Sequence, residues 1–215
     1  MCDLRPKLVP VEVPWLISPS TPWLRLTATE HEGVIVRFVG YFALEDPTPP
    51  ERAERIAGFE EVRVVGTPYD HPNRLESHGG PYQLVRVTFA RGLWARFCPA
   101  HSDGEMVDPD AYDFSTIPEF LKLTGGPGEP VDVAQYVRRF RSMWARTQLC
   151  PDPHMYEVEN STWVEHANAG QVFRHYMLWG HDAYVEILAE GWQWESEGSL
   201  EGWQSTGQRF RGHHI

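Results

Sequence analysis

Apolar and polar residues alternate along several stretches of this chain, most clearly from Gln171 to Trp194, QVFRHYMLWGHDAYVEILAEGWQW. Two aromatic and β-branched runs flank Gly180-His181. A glycine at the first central position of a two-residue loop suits a type II′ turn, so the spacing predicts a β-hairpin. A turn there sets Met177 opposite Tyr184, Tyr176 opposite Val185 and His175 opposite Glu186. One face then carries Phe173, His175, Met177, Trp179, Tyr184, Glu186 and Leu188, and the other carries Tyr176, Leu178, Val185, Ile187 and Ala189. The second face is core. The first mixes aromatics with a His/Glu pair, which suits the wall of a binding site. The simpler reading is an ordinary sheet face under a helix, because buried polar pairs are usually structural and mutually satisfied.

The same periodicity predicts a hairpin over residues 24–44, turning at His31-Glu32-Gly33, and another over 82–97, turning near Arg91-Gly92. The second shares its aromatic rhythm with 171–194, which suggests either an internal duplication or one sheet of equivalent hairpins. PTPPERAERIA (47–57) reads as a short helix capped by Thr48 and stopped by Gly58, followed by a strand over 59–65. Ser115 is the candidate cap of a short helix through Leu123. Helical spacing of Val133, Tyr136, Val137, Phe140, Met143, Trp144 and Thr147 predicts one strong helix over 131–149. The stretch 154–166 resumes as a strand through Trp163, interrupted at Asn160-Ser161 by a turn or bulge. The expected fold class is α+β: antiparallel β-hairpins forming a sheet or partly closed barrel, covered by one long amphipathic helix. GGPGEP divides a β-rich part (1–125) from the helix and C-terminal hairpin (126–195), the two packed as one unit. The segment 196–215 reads as a flexible tail.

Composition narrows the function classes. The chain has 215 residues and a net charge of −11. Six acids and no Lys or Arg lie between Asp182 and Glu201. Nucleic acid is excluded as a partner by the want of a basic surface, whereas a basic protein would be steered in. Three cysteines, Cys2, Cys98 and Cys150, lack metal or redox spacing and fit a reducing compartment. The proline-broken N-terminus lacks a signal peptide's apolar run, and no segment is long enough to span a membrane, so a cytoplasmic protein is expected. Nine tryptophans suit anchors of an interface or a ligand pocket, although in a β-rich chain most of them are expected in the core.

Candidate chemistry is sparse. No phosphate-binding glycine loop, nucleophile elbow, HxH or HExxH occurs, so neither cofactor nor metal is expected. The loop 66–80 concentrates Tyr69, Asp70, His71, Glu76 and His78, groups able to move a proton, without metal spacing. His175 and Glu186 are the candidate general base and its orienting carboxylate. VENSTW (158–163) followed by RHYMLWGHDAYVEILAEG (174–191) resembles a pattern in small bacterial proteins of no known activity: NSxW, then HY, HD and an acidic-apolar EhhAEG strand. The resemblance implies a bacterial β-rich fold and carries no mechanism.

Two functions remain. One is a non-enzymatic binding protein of immunity or regulatory type that engages a basic protein partner, with Trp179, Tyr184, Glu190, Trp192 and Glu195 as binding residues. The other is a small enzyme or small-molecule binder whose pocket joins His175 and Glu186 to Tyr69, His71 and His78.

Overall fold

The structure, a computed structural model, describes residues 5–18, 24–29, 33–42, 51–54, 62–65, 82–99, 107–108, 110–117, 133–167 and 172–199. In chain order the strands are β1 (Lys7–Pro10), β2 (Trp15–Ile17), β3 (Arg25–Thr29), β4 (Gly33–Phe42), β5 (Glu51–Glu54), β6 (Val62–Val65), β7 (Tyr82–Ala90) and β8 (Trp94–Pro99). They are followed by α1 (Val133–Thr147), β9 (Met155–Glu159), α2 (Thr162–His166), β10 (Arg174–Trp179), β11 (Ala183–Ala189) and β12 (Gly191–Ser199). One antiparallel sheet has the order β1-β9-β10-β11-β8; a second has β12-β7-β4-β2, with β3 also on β4; β5 and β6 pair separately.

The fold is therefore mostly β, and the α+β expectation of a sheet covered by a long helix is overturned. The apolar face of β10–β11 is covered by the second sheet instead. Tyr176, Leu178, Val185, Ile187 and Ala189 pack in one cluster with Val34, Val36 and Phe38 of β4 and Val85, Val87 and Phe89 of β7. That is sandwich packing, in which alternate residues of each strand fill the space between two sheets. Helix α1 joins a different cluster through Phe140 and Trp144, one turn apart, with Leu16 and Tyr41. The Trp144 indole donates to the Pro14 carbonyl at 3.2 Å, seating the helix on the N-terminal arm beside β2.

The stretch 82–97 is not a hairpin. β7 and β8 lie in different sheets, and each pairs with half of the run formed by β11 and β12. The two long runs form an antiparallel ladder that bends from one sheet into the other. At the bend Arg91, Gly92 and Leu93 stand against Ala189 and Glu190, one residue too many, which is a β-bulge. Arg91 takes a left-handed φ of 46°. A Cβ on Gly92 would lie 2.5 Å from Val34 Cγ2, so only glycine lets the corner close.

Other local expectations also change. Glu51–Glu54, inside the predicted helix 47–57, is a strand paired with Val62–Val65. Ser115 lies in a turn rather than capping a helix. The strand expected through Trp163 stops at Glu159, where Asn160 reverses the chain with φ 56° and α2 begins. Order reaches into the predicted tail, since β12 runs to Ser199 on β7. The 24–44 hairpin is present, β3 on β4 with Thr29 opposite Gly33. Strands from either side of the GGPGEP break share both large sheets.

β12 also explains the acidic C-terminal stretch. Arg25, Arg37 and Arg86 stand directly opposite one another across β3, β4 and β7, and the row ends on Glu195 of β12. Like charges so placed repel. Glu195 pairs with Arg86 at 3.3 Å and Glu197 with Arg37 at 3.1 Å.

Candidate functional site

The turn of the β10–β11 hairpin falls one residue later than the spacing predicts: Gly180 N donates to Ala183 O at 2.8 Å, around His181-Asp182. Met177, not His175, is opposite Glu186, and His175 is opposite Leu188. Moving the turn by one residue changes the register by two, so every side chain keeps its face. His175 and Glu186 become diagonal neighbours on the face away from the sandwich, still near enough to touch. His175 Nε2 lies 3.4 Å from Glu186 Oε1. That nitrogen is not aligned for a good hydrogen bond, so the contact is chiefly electrostatic.

Glu186 is 1% exposed and His175 3%. Four groups surround the carboxylate. Arg96, directly opposite on β8, forms a close ion pair with Oε2. Cys98 Sγ is 3.8 Å from the same oxygen, and Tyr112 OH donates to Oε1 at 3.3 Å. Burial alone pushes this carboxyl up, but His175 and then Arg96 outweigh it and hold Glu186 below the usual glutamate value. The same surroundings act oppositely on the neighbouring phenols and thiol, whose ionisation would place a second negative charge beside Glu186. Burial, then the Glu186 charge, pushes Tyr112 well above the ordinary phenol range; burial chiefly pushes Tyr184 up to about 12 and raises the Cys98 thiol.

The second nitrogen of His175 meets α2. Ser161 caps this helix, its hydroxyl accepting from Trp163 N at 3.1 Å. The same hydroxyl lies 2.7 Å from His175 Nδ1 and is 5% exposed. The cap turns Trp163 onto the imidazole, with centroids 4.5 Å apart and planes 4° from parallel. Arg96 lies over the Trp163 ring, 4.8 Å from its centroid, and Trp94 meets the ring edge-on at 6.1 Å. Ser161, His175, Glu186 and Arg96 thus form a row from a buried hydroxyl to an arginine side chain that is 54% exposed.

The other predicted residues lie elsewhere. Trp179 packs on Tyr156 and Phe114, at 4.6 and 5.9 Å between ring centroids. Tyr184 is half-buried, opposite Trp179 and Cys98. Trp192 packs against the sandwich core, Glu190 pairs with Arg91 at 3.0 Å at the corner, and Glu195 is the partner of Arg86. Tyr69, His71 and His78 lie outside the described residues. Ser161, Trp163, Arg96 and Tyr112 were missed. Ser161 had a usable signal, a serine before TWVEH in a stretch read as a turn. No sequence signal points to Arg96, because the spacing of 82–97 makes β8 the partner of β7 rather than of β11.

Among the described residues no group of three His, Cys, Asp or Glu side chains could hold a metal ion, and no helix is long and apolar enough to cross a membrane. No protein-family model, curated protein or solved structure matches the chain.

Proposed function

We propose that the protein is a small enzyme in which His175 acts as a general base, oriented by Glu186. The observation that supports this reading is the imidazole set between two polar groups, hydrogen-bonded to Ser161 at 2.7 Å and facing a buried carboxylate at 3.4 Å. A base must be held in one tautomer and one orientation to move a proton on demand, and this ring is hydrogen-bonded at Nδ1, meets the Glu186 charge at Nε2 and is covered on one face by Trp163. The test is a panel of p-nitrophenyl esters, phosphates and glycosides assayed with the wild type and His175→Asn. Turnover of one class that is lost in the variant, with the circular dichroism spectrum unchanged, supports the reading. Equal rates for both proteins across the panel overturn it.

A second reading, a binding protein for a basic partner, draws on Leu93 at the bulge and Trp94 and Phe97 on β8, each 43% or more exposed, with β8 at the end of its sheet. Its charge argument is weaker than the composition suggests, since Glu190, Glu195 and Glu197 each have an arginine partner within the fold. Reversing those three charges tests it: slower, less salt-sensitive capture by a basic partner supports the reading, and unchanged capture removes it.

A further inference from the structure

We infer that Ser161 is a nucleophile and that the reaction is acyl transfer from a small carboxylic ester; the inference rests on the general-base reading of His175. The argument begins with proton positions. Ser161 Oγ accepts the Trp163 backbone N–H, so its own proton is free to be donated, and the acceptor in reach is His175 Nδ1 at 2.7 Å. With Nδ1 accepting, the neutral ring carries its proton on Nε2, the nitrogen that faces Glu186. The carboxylate is ionised and compensated by Arg96, so positive charge appearing on the ring is met by a negative charge already in place. Serine, imidazole and carboxylate stand in the order that activates a hydroxyl, with the two ring nitrogens exchanged relative to the serine-protease arrangement. Trp163, stacked on the imidazole, keeps the ring from turning.

The chemistry balances without a further reagent. Oγ attacks the ester carbonyl carbon as its proton passes to Nδ1, and the carbonyl π pair moves onto oxygen. Collapse re-forms the carbonyl, breaks the bond to the alkoxy oxygen and returns the Nδ1 proton to the leaving alcohol. Water then attacks the acyl-serine by the same route, releasing the carboxylic acid and restoring Ser161.

A serine that only caps α2 would show the same distances but not the same reactivity, which a fluorophosphonate and p-nitrophenyl acetate can distinguish. The full-length protein should take up one phosphonyl group, mapped to Ser161 by peptide mass, and His175→Asn should slow that labelling by about 100-fold or more. Ser161→Ala should lose ester hydrolysis, and Glu186→Gln should lower kcat with KM unchanged. A folded wild type left unlabelled, or labelled elsewhere, overturns the nucleophile whether or not Ser161→Ala folds. Hydrolysis retained in Ser161→Ala but lost in His175→Asn removes the nucleophile and leaves the general base. Hydrolysis unchanged in both removes both.

Discussion

The Trp163 indole lies flat on the His175 imidazole, 4.5 Å between centroids, while Arg96 lies over the same indole at 4.8 Å. One side chain thus touches the ring and the guanidinium that flank Glu186. Aromatic pairing adds about 0.5–1.5 kcal/mol beyond area burial. Trp163 is only half-buried, so Trp163→Ala should cost about 2 kcal/mol, below the range for fully buried aromatics. Trp163→Phe should recover most of that loss in urea denaturation. If both variants unfold with the wild type, the stack carries no stability.

The Glu186 carboxyl sets an acid limit. Unfolded, it binds its proton near pH ~4.3. Folded, it does so at lower pH. Between those values the unfolded chain holds more protons, so the stability from this group is present above the ordinary carboxyl range and lost as pH falls through the folded value. Glu186→Gln should flatten the acid limb of a melting-temperature profile. Arg96→Ala should be the costlier change at neutral pH, by about 3 kcal/mol, because it leaves a buried charge short of its partner. The arginine side chain freed by Glu186→Gln is already half in water.

At high pH the tyrosines reverse the argument. Burial chiefly raises Tyr176 and Tyr184 to about 12, so the folded chain keeps protons that the unfolded chain releases near pH ~10. Stability should fall between about pH 10 and 12. Tyrosinate absorbance should then rise in step with loss of the circular dichroism signal. Tyrosinate forming at ordinary phenol pH in the folded protein would contradict this.

Gly92 tests the corner. Its substitution by alanine drives a methyl into Val34, a contact of 2.5 Å, and overpacking of this kind costs about 1–3 kcal/mol. Adding Val34→Ala to Gly92→Ala should return part of the loss, measured as a double-mutant cycle. Independent, additive effects would show that the corner closes in some other way.

The sequence made the faces of β10 and β11 legible but not what covers them. Period-two alternation survives a register error of two, which is why His175 and Glu186 meet although their opposite partners differ. The covering layer is a long-range choice. Val85 and Val87 on β7 read the same as if they faced a helix, and β7 followed closely by β8 looks like a hairpin unless the partner strand of each is known. Helix α2 escaped detection because its five residues, TWVEH, hold β-formers and too few turns for a 3.6-residue period. The acids of β12 stood out in composition, yet their meaning lay in arginines more than a hundred residues earlier.

The bent ladder made by β7–β8 and β11–β12 ties the two sheets of the sandwich together at one corner. Two separate sheets could slide or part, whereas here the same two runs of backbone belong to both layers. Opening one layer pulls on hydrogen bonds in the other, so amide exchange at Val185 and Val85 should report a single shared unfolding event rather than two.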